Sequence, residues 1–351
     1  MDIVVLAGGL SPERNVSFSS GAMVCEALAG LGHRVALVDA FLGLEDYQAP
    51  LAELFRQPPP LPEKGIKEEA PDLEAVKAAR RYKGPGLFGE GVLAACQMAD
   101  VVFMGLHGAS GEDGRVQAAL DLQGIPYTGS GYLGSAIAMD KHYTKQLARQ
   151  IGVRTPDWRA ITLTAQTVED TAQHAALPCV VKVPNGGSSV GVYLCHTREE
   201  LRHALTDSGR YSSRILLEQY IKGREFACGV LEEQSLPPIE IIPKEGFYDY
   251  RNKYQAGATL EVCPAHISGE AEALMRSAAL RMHKHLGLAA YSRSDFILDE
   301  DDQVWFLEVN TLPGMTPLSL LPQEAAAVGI DYGTLCSKII DASLEARHEG
   351  R

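Results

Sequence analysis

Two acidic side chains sit inside apolar strand patterns on either side of an aspartate-rich turn, in SRSDFILDEDDQVWFLEVNTLPGMT (residues 292–316). This is the grammar of a β-hairpin. Centring the turn between Asp301 and Asp302 sets Asp295 opposite Glu308, and Asn310, two residues on, shares the face of Glu308. Asp299 to Asp302 read as ordinary turn acids. Asp295 and Glu308 do not, because an unpartnered carboxylate within an apolar strand is costly. Three hard oxygen donors on one face suit one or two Mg²⁺ or Mn²⁺ ions that hold nucleotide phosphates.

The start of the chain imposes a second constraint. Residues 2–7 (DIVVLA) form an apolar run that ends at Gly8 and Gly9. Apolar positions then recur at helical spacing until Gly30 and Gly32, and HRVALVD (33–39) reads as a second strand. Strand, glycine loop, helix and strand make an α/β opening. After a proline-rich, charged excursion over about residues 50–85, the rhythm resumes with ADVVFMGLHG, the helix VQAALDLQG and the short IPYTGSG. Glu13 and His107 fall at the carboxyl ends of strands in this sheet, the edge where open α/β sheets bind ligands. The spacing GxGxxG is absent from the first turn, which removes the reason to read a dinucleotide-dependent dehydrogenase.

From residue 131 the pattern restarts. Lys182 ends an apolar strand and precedes Gly186, Gly187, Ser188 and Ser189, a loop rich in backbone N–H donors that suits phosphates without being a Walker A sequence. Residues 212–233 read as strand, turn, strand, and single helices are expected near 270–286 and 323–347.

Composition narrows the function classes. The 351 residues carry 45 acidic against 32 basic side chains, a net charge of −13, and no basic stripe, so nucleic acid is excluded as a partner. No run approaches the ~18 apolar residues of a membrane span. Seven cysteines without CxxC spacing read as reduced thiols of a cytoplasmic protein.

Five blocks taken in order, GGLSPERNVS, HGASGEDG with PYTGSG and MDK, VKVPNGGSSVGV, FYDYRNKY, and SRSDF with LEVNTLPGMT, resemble the D-alanine–D-alanine ligases of the ATP-grasp superfamily. The resemblance covers nearly the whole chain. It implies an α/β plus α+β protein: a Rossmann-like domain over 1–130, then an ATP-grasp fold with a central domain over 131–218 and a C-terminal one over 219–351. It also implies a homodimer whose small-molecule substrates are ATP and D-alanine. Carried over by motif, Glu13 anchors the ammonium of the first D-alanine in a network with Ser188 and Tyr254, and His107 lies close by. Lys141, Lys182 and Lys253 match contacts to ATP phosphates, while Glu218 and Glu225 match those to adenine and ribose. Arg293 and the backbone N–H of Gly314 match the oxyanion donors, Ser319 a contact to the second D-alanine, and Asp295, Glu308 and Asn310 the metal ligands.

Tyr254 in FYDYRNKY resembles the amide-forming members, so the second substrate is expected to be D-alanine. D-serine, D-lactate and a nucleotide-binding relative without turnover are the alternatives. Departures from the family pattern are a long stretch over about 44–95, Asn185-Gly186 in the glycine loop, and Ser294 where an apolar residue is common.

Overall fold

The computed structural model describes residues 1–62, 71–187, 191–244 and 259–349. Strands β1 (Asp2–Ala7), β2 (Arg34–Asp39) and β3 (Val101–Met104) form a parallel sheet in the order β2-β1-β3. Helix α1 (Arg14–Gly30) lies on it, with α2 (Leu73–Ala79) in the excursion and α3 (Val92–Met98) and α4 (Arg115–Leu122) flanking β3. The apolar side of α1 (Val24, Cys25, Leu28) packs on Val4, Val5 and Leu6. Gly21 makes the close approach possible, since a Cβ there would lie 3.0 Å from that of Ala7. The stretch IPYTGSG contributes one parallel bridge, Val102 to Tyr127.

Helices α5 (Tyr132–Met139) and α6 (Lys141–Gln150) lead into an antiparallel sheet. Its strands are β4 (Trp158–Thr162), β5 (Cys179–Lys182), β6 (Val192–Cys195) and β7 (Arg214–Gln219), in the order β4-β7-β5-β6. Helices α7 (Ala165–His174) and α8 (Arg198–Ser208) cover one face of it, with Leu201, Ala204 and Leu205 against Val181, Ile215 and Leu217. The expected strand, turn, strand over 212–233 is present, but its turn crosses between sheets. β8 (Gly223–Leu231) belongs to a larger antiparallel sheet with β9 (Gln234–Ser235), β10 (Ile239–Pro243), β11 (Thr259–Val262), β12 (Tyr291–Asp299) and β13 (Val304–Asn310).

Helix α9 (Gly269–His285) backs this sheet. Phe226, Cys228 and Val230 of β8 and Phe296 and Leu298 of β12 point to α9, with Phe306 and Val309 of β13. Strand alternation therefore turns Glu225, Ala227, Gly229, Arg293 and Asp295 to the opposite face. The single helix expected over 323–347 is two, α10 (Leu320–Ala327) and α11 (Tyr332–Glu349). Gly329 stops the first with φ +81°, its N–H on the carbonyl of Ala326 and the N–H of Ile330 on that of Ala325, a Schellman cap. Helix α11 then returns to the first layer, where Leu335, Cys336, Ile339 and Ile340 join the core of β1–β3.

Beneath β12, the imidazole of His283 is buried and its Nδ1 lies 2.7 Å from the Ser292 hydroxyl. Burial, with help from Lys284, pulls its pKa from 6.5 to about 4. The folded value lies below the unfolded one, so this stabilisation is complete above pH 6.5 and is lost as the pH falls toward 4. Urea midpoints at pH 7 and pH 4.5 should therefore fall further for the wild type than for His283→Gln. Equal drops would show that His283 is not a source of the acid sensitivity.

Candidate functional site

The carboxyl edge of β1–β3 is held by a mesh of short polar contacts. Gly8 and Gly9 both have φ near +75°, and a Cβ on Gly8 would strike Asp39 Oδ1 at 2.6 Å. Arg14 clamps the turn, donating to the carbonyl of Gly9 (2.6 Å) and forming an ion pair with Asp39. Ser11 Oγ donates to the carbonyl of His107 (2.7 Å), which ties the first loop to the one after β3. This frame delivers Glu13, buried at the N-terminal end of α1, into a gap between two glycines. A Cβ on Gly108 would lie 2.7 Å from Glu13 Oε2, and one on Gly187 3.2 Å from it. The loops after β1, β3 and β5 thus meet at one carboxylate.

His107 is buried, with Nδ1 3.0 Å from the carbonyl of Leu312 and Nε2 3.3 Å from Ser20 Oγ. Both ring nitrogens are engaged, so the imidazole ties the sheet edge to the segment after β13. Burial lowers its pKa, more than Glu13 and the Leu312 carbonyl raise it. Glu112, in the same glycine loop, accepts the N–H of Gly108 (3.0 Å). Burial and then the charge of Glu13 push it up to about 8. Within HGASGEDG, Glu112 is indistinguishable from an ordinary turn acid.

On the antiparallel sheets, Lys182 Nζ lies 2.6 Å from Glu218 Oε1, and Lys145 Nζ, from α6, lies 2.6 Å from Oε2. All three are buried. Burial works against the Glu218 carboxylate, but the two lysines outweigh it and its pKa is lowered. Burial lowers Lys145 to about 8 despite Glu218. For Lys182 burial is overcome by Glu218, then Glu308 and Glu225, and the pKa is raised. Glu225 and Glu308 therefore share the electrostatic neighbourhood of Lys182. Lys145 is a residue the sequence reading missed. Within KHYTKQLARQ it looks like any surface lysine, and only its position one turn after Lys141 marks the buried side.

The hairpin pairs Asp295 with Glu308 and Arg293 with Asn310. Toward the turn the register differs by one residue, Phe296 facing Phe306, because a β-bulge leaves Leu307 without a partner. Phe306 points to α9. Without the bulge, alternation would carry Glu308 and Asn310 to that side as well. The bulge puts them on the face of Asp295 and Arg293.

Each carboxylate there has a protein cation. Arg293 Nε and Nη2 hold both oxygens of Asp295 (2.7 and 2.9 Å). Lys141 Nζ lies 2.9 Å from Glu308 Oε2 and donates to the carbonyl of Gly186 (2.7 Å), so it bridges the hairpin and the glycine loop. Asn310 Oδ1 accepts the N–H of Leu312 (2.9 Å). Among the described residues no three His, Cys, Asp or Glu side chains group closely enough to hold an ion. The all-oxygen set of two facing carboxylates and the Asn310 amide nevertheless fits a hard divalent cation.

Ser319 stands at the N-cap of α10 without capping it. Its hydroxyl turns back to the N–H (3.1 Å) and hydroxyl (2.8 Å) of Thr316, and a Cβ on Gly314 would lie 2.8 Å from it. Ser188, Lys253 and Tyr254 lie outside the described residues.

Known proteins resemble this chain along nearly its whole length. Residues 2–130 match the family described as D-ala D-ala ligase N-terminus, and residues 147–341 the family described as D-ala D-ala ligase C-terminus. The chain is 42% identical over 343 residues to a D-alanine–D-alanine ligase of Pediococcus pentosaceus, covering 97% of each. It is 39% identical over 351 residues to that of Lacticaseibacillus casei, covering 100% of this chain and 98% of that one. The crystal structure of the Bacillus anthracis D-alanine–D-alanine ligase complexed with ATP superposes with a TM-score of 0.73 at 31% identity, covering 100% of this chain and 99% of that one.

Removing the carboxylate that sits between two buried ammonium groups costs about 3–5 kcal/mol. Glu218→Gln should therefore lower unfolding stability by roughly that amount. Adding Lys145→Met should recover part of the loss, because one of the two uncompensated charges is then gone. A single variant with an unchanged urea midpoint, or a double variant no better than the single, would contradict the buried triad.

Proposed function

The chain belongs to the D-alanine–D-alanine ligase family, and on that premise we propose that it joins two D-alanines into D-alanyl-D-alanine at the expense of ATP. The product serves the synthesis of peptidoglycan precursors. In this reading residues 1–130 are a Rossmann-like domain, and 131–218 and 219–351 are the two ATP-grasp domains that clasp the nucleotide between their sheets. The working form is a cytoplasmic homodimer; no helix among the described residues is long and apolar enough to cross a membrane.

One observation carries the reading. Lys141 joins Glu308 of the large sheet to Gly186 of the loop that follows β5 in the small one, beside Arg293 and Asp295. An anionic phosphate chain entering there meets Lys141 and Lys182. Glu225 stands on the same face for the ribose, and Glu218 for the adenine amino group, since each carboxylate oxygen keeps a second lone pair beyond its lysine. Lys253 is assigned to the γ-phosphate by motif. Asp295, Glu308 and Asn310 would hold Mg²⁺ or Mn²⁺, which supplies screening of the phosphate charge that otherwise repels the substrate carboxylate.

The chain's own groups do the rest. Glu13, with Ser188 and Tyr254, receives the ammonium of the first D-alanine, and His107 keeps the loops that frame it in place. The D-alanine carboxylate oxygen bonds to the γ-phosphorus as the bond to the β-phosphate oxygen breaks, releasing ADP. Ser319 holds the carboxylate of the second D-alanine, whose nitrogen, once it has lost a proton, attacks the acyl carbon. Arg293 and the N–H of Gly314 steady the oxyanion that forms, and phosphate departs with the electrons of the C–O bond.

Incubation of the purified chain with ATP, Mg²⁺ and D-alanine should yield one phosphate per D-alanyl-D-alanine, read by mass spectrometry. Phosphate release without dipeptide would overturn the proposal. Arg293→Ala should lower kcat by about 10²- to 10³-fold, with a smaller change in the KM for D-alanine, as for loss of one preorganised oxyanion donor. A change confined to KM would make Arg293 a ground-state binding residue.

A further inference from the structure

Glu324, on α10, is fully buried and no role has been given to it. Its Oε1 accepts the N–H of Gly229 (2.9 Å), while Oε2 has no hydrogen-bond partner among the described residues. A buried carboxyl oxygen left so is costly unless something reaches it in another state of the molecule.

The sheet shows what is near. Gly229 of β8 lies directly opposite Arg293 of β12, so the two residues project to the same face. A Cβ on Gly229 would lie 2.8 Å from Glu324 Oε2 and 2.5 Å from Leu321 Cδ1. Side chains directly across such a ladder start about 4.5–5.5 Å apart at Cβ. The lone oxygen therefore lies over the glycine opposite the arginine, within reach of a long side chain. Residue 229 contributes no side chain, and the methyls of Leu321 and Leu236 share the space over it with the oxygen.

Arg293 is at present committed to Asp295 through both prongs of its guanidinium. Under the ligase reading this cannot persist, because Asp295 is needed by the divalent cation and Arg293 by the reacting carbonyl. When Asp295 turns to the cation, the guanidinium, which is largely buried, needs another anion to hold it.

We propose that Glu324 is a positioning residue, a second berth whose free oxygen takes the Arg293 guanidinium as Asp295 is given up to the divalent cation. The proposal rests on the ligase reading. The groups that act on the Glu324 carboxyl are consistent with it: burial pushes its pKa up to about 8, while the Gly229 N–H and Arg293 pull it down and Asp295 raises it. Cys228 and Cys263, whose thiols feel its charge, complete its titratable surroundings. Arrival of Arg293 and neutralisation of Asp295 by the cation would both favour the ionised carboxyl, so the new pairing is an ion pair.

The test is Mn²⁺ affinity in the presence of ATP, read from the electron paramagnetic resonance signal of free Mn²⁺ without any turnover. Glu324→Gln keeps an acceptor for Gly229 but removes the charge, so Arg293 stays on Asp295 and Mn²⁺ binding should weaken about fivefold or more. In an Arg293→Ala background the same change should have no effect, because there is no guanidinium to move. Glu324→Met, of similar volume, carries the same expectation should the amide variant fold poorly. Affinity within twofold of wild type, or equal weakening with and without Arg293, would overturn the proposal. Absence of Mn²⁺–ATP binding by the wild type would instead remove the ligase reading beneath it.

Discussion

A carboxylate withdrawn wholly or partly from water has to be matched by a cation, and the architecture here follows from that requirement. Glu218 lies between Lys145 and Lys182, Glu308 against Lys141, and Asp295 in the fork of Arg293. The first two sets draw on different elements, α6 with β5 and β7 and α6 with β13, while the third lies within β12. Charge matching therefore joins the two antiparallel sheets across the space between them, where hydrophobic contact would close the cleft. In the proposed reaction the pairs exchange: a phosphate chain or a divalent cation would take one partner and return the other to the chemistry, which an apolar closure could not offer.

The parallel layer adds the third side. Its polar mesh, from Arg14–Asp39 to Ser11–His107, spends most of its hydrogen bonds on holding the loop that carries Glu13. Glycines at 108 and 187 are needed there for space, since a side chain at either would intrude on that carboxylate. His107 and α11 fasten the same layer to the segment after β13 and to the end of the chain.

Much of this was legible in the sequence, for definite reasons. Acids within apolar strands and a turn of aspartates led to the pairing of Asp295 with Glu308, which the ladder contains. The route to it was different: the strands leave the turn one residue out of that register and the bulge at Leu307 restores it. A bulge has no signature in LEVN, because Leu307 is as apolar as its neighbours. Lys145 was invisible because a helix shows its buried side only when its packing partners are known. The break at Gly329 is readable as a C-cap, but the run of alanines before it makes the helix look continuous. Glu112 and Glu324 owe their unusual environments to burial, which their neighbours in sequence do not reveal.

The central claim is that one D-alanine carboxylate is phosphorylated before the peptide bond forms. Its most direct test uses D-alanine labelled with ¹⁸O in both carboxyl oxygens, with unlabelled ATP and Mg²⁺. Transfer of the γ-phosphoryl group to the carboxylate, followed by displacement at the acyl carbon, must leave one labelled oxygen in each inorganic phosphate released. Phosphate mass spectra should therefore show a single ¹⁸O per molecule and a dipeptide amide carbonyl that keeps the other. Unlabelled phosphate accompanying dipeptide formation would contradict the account.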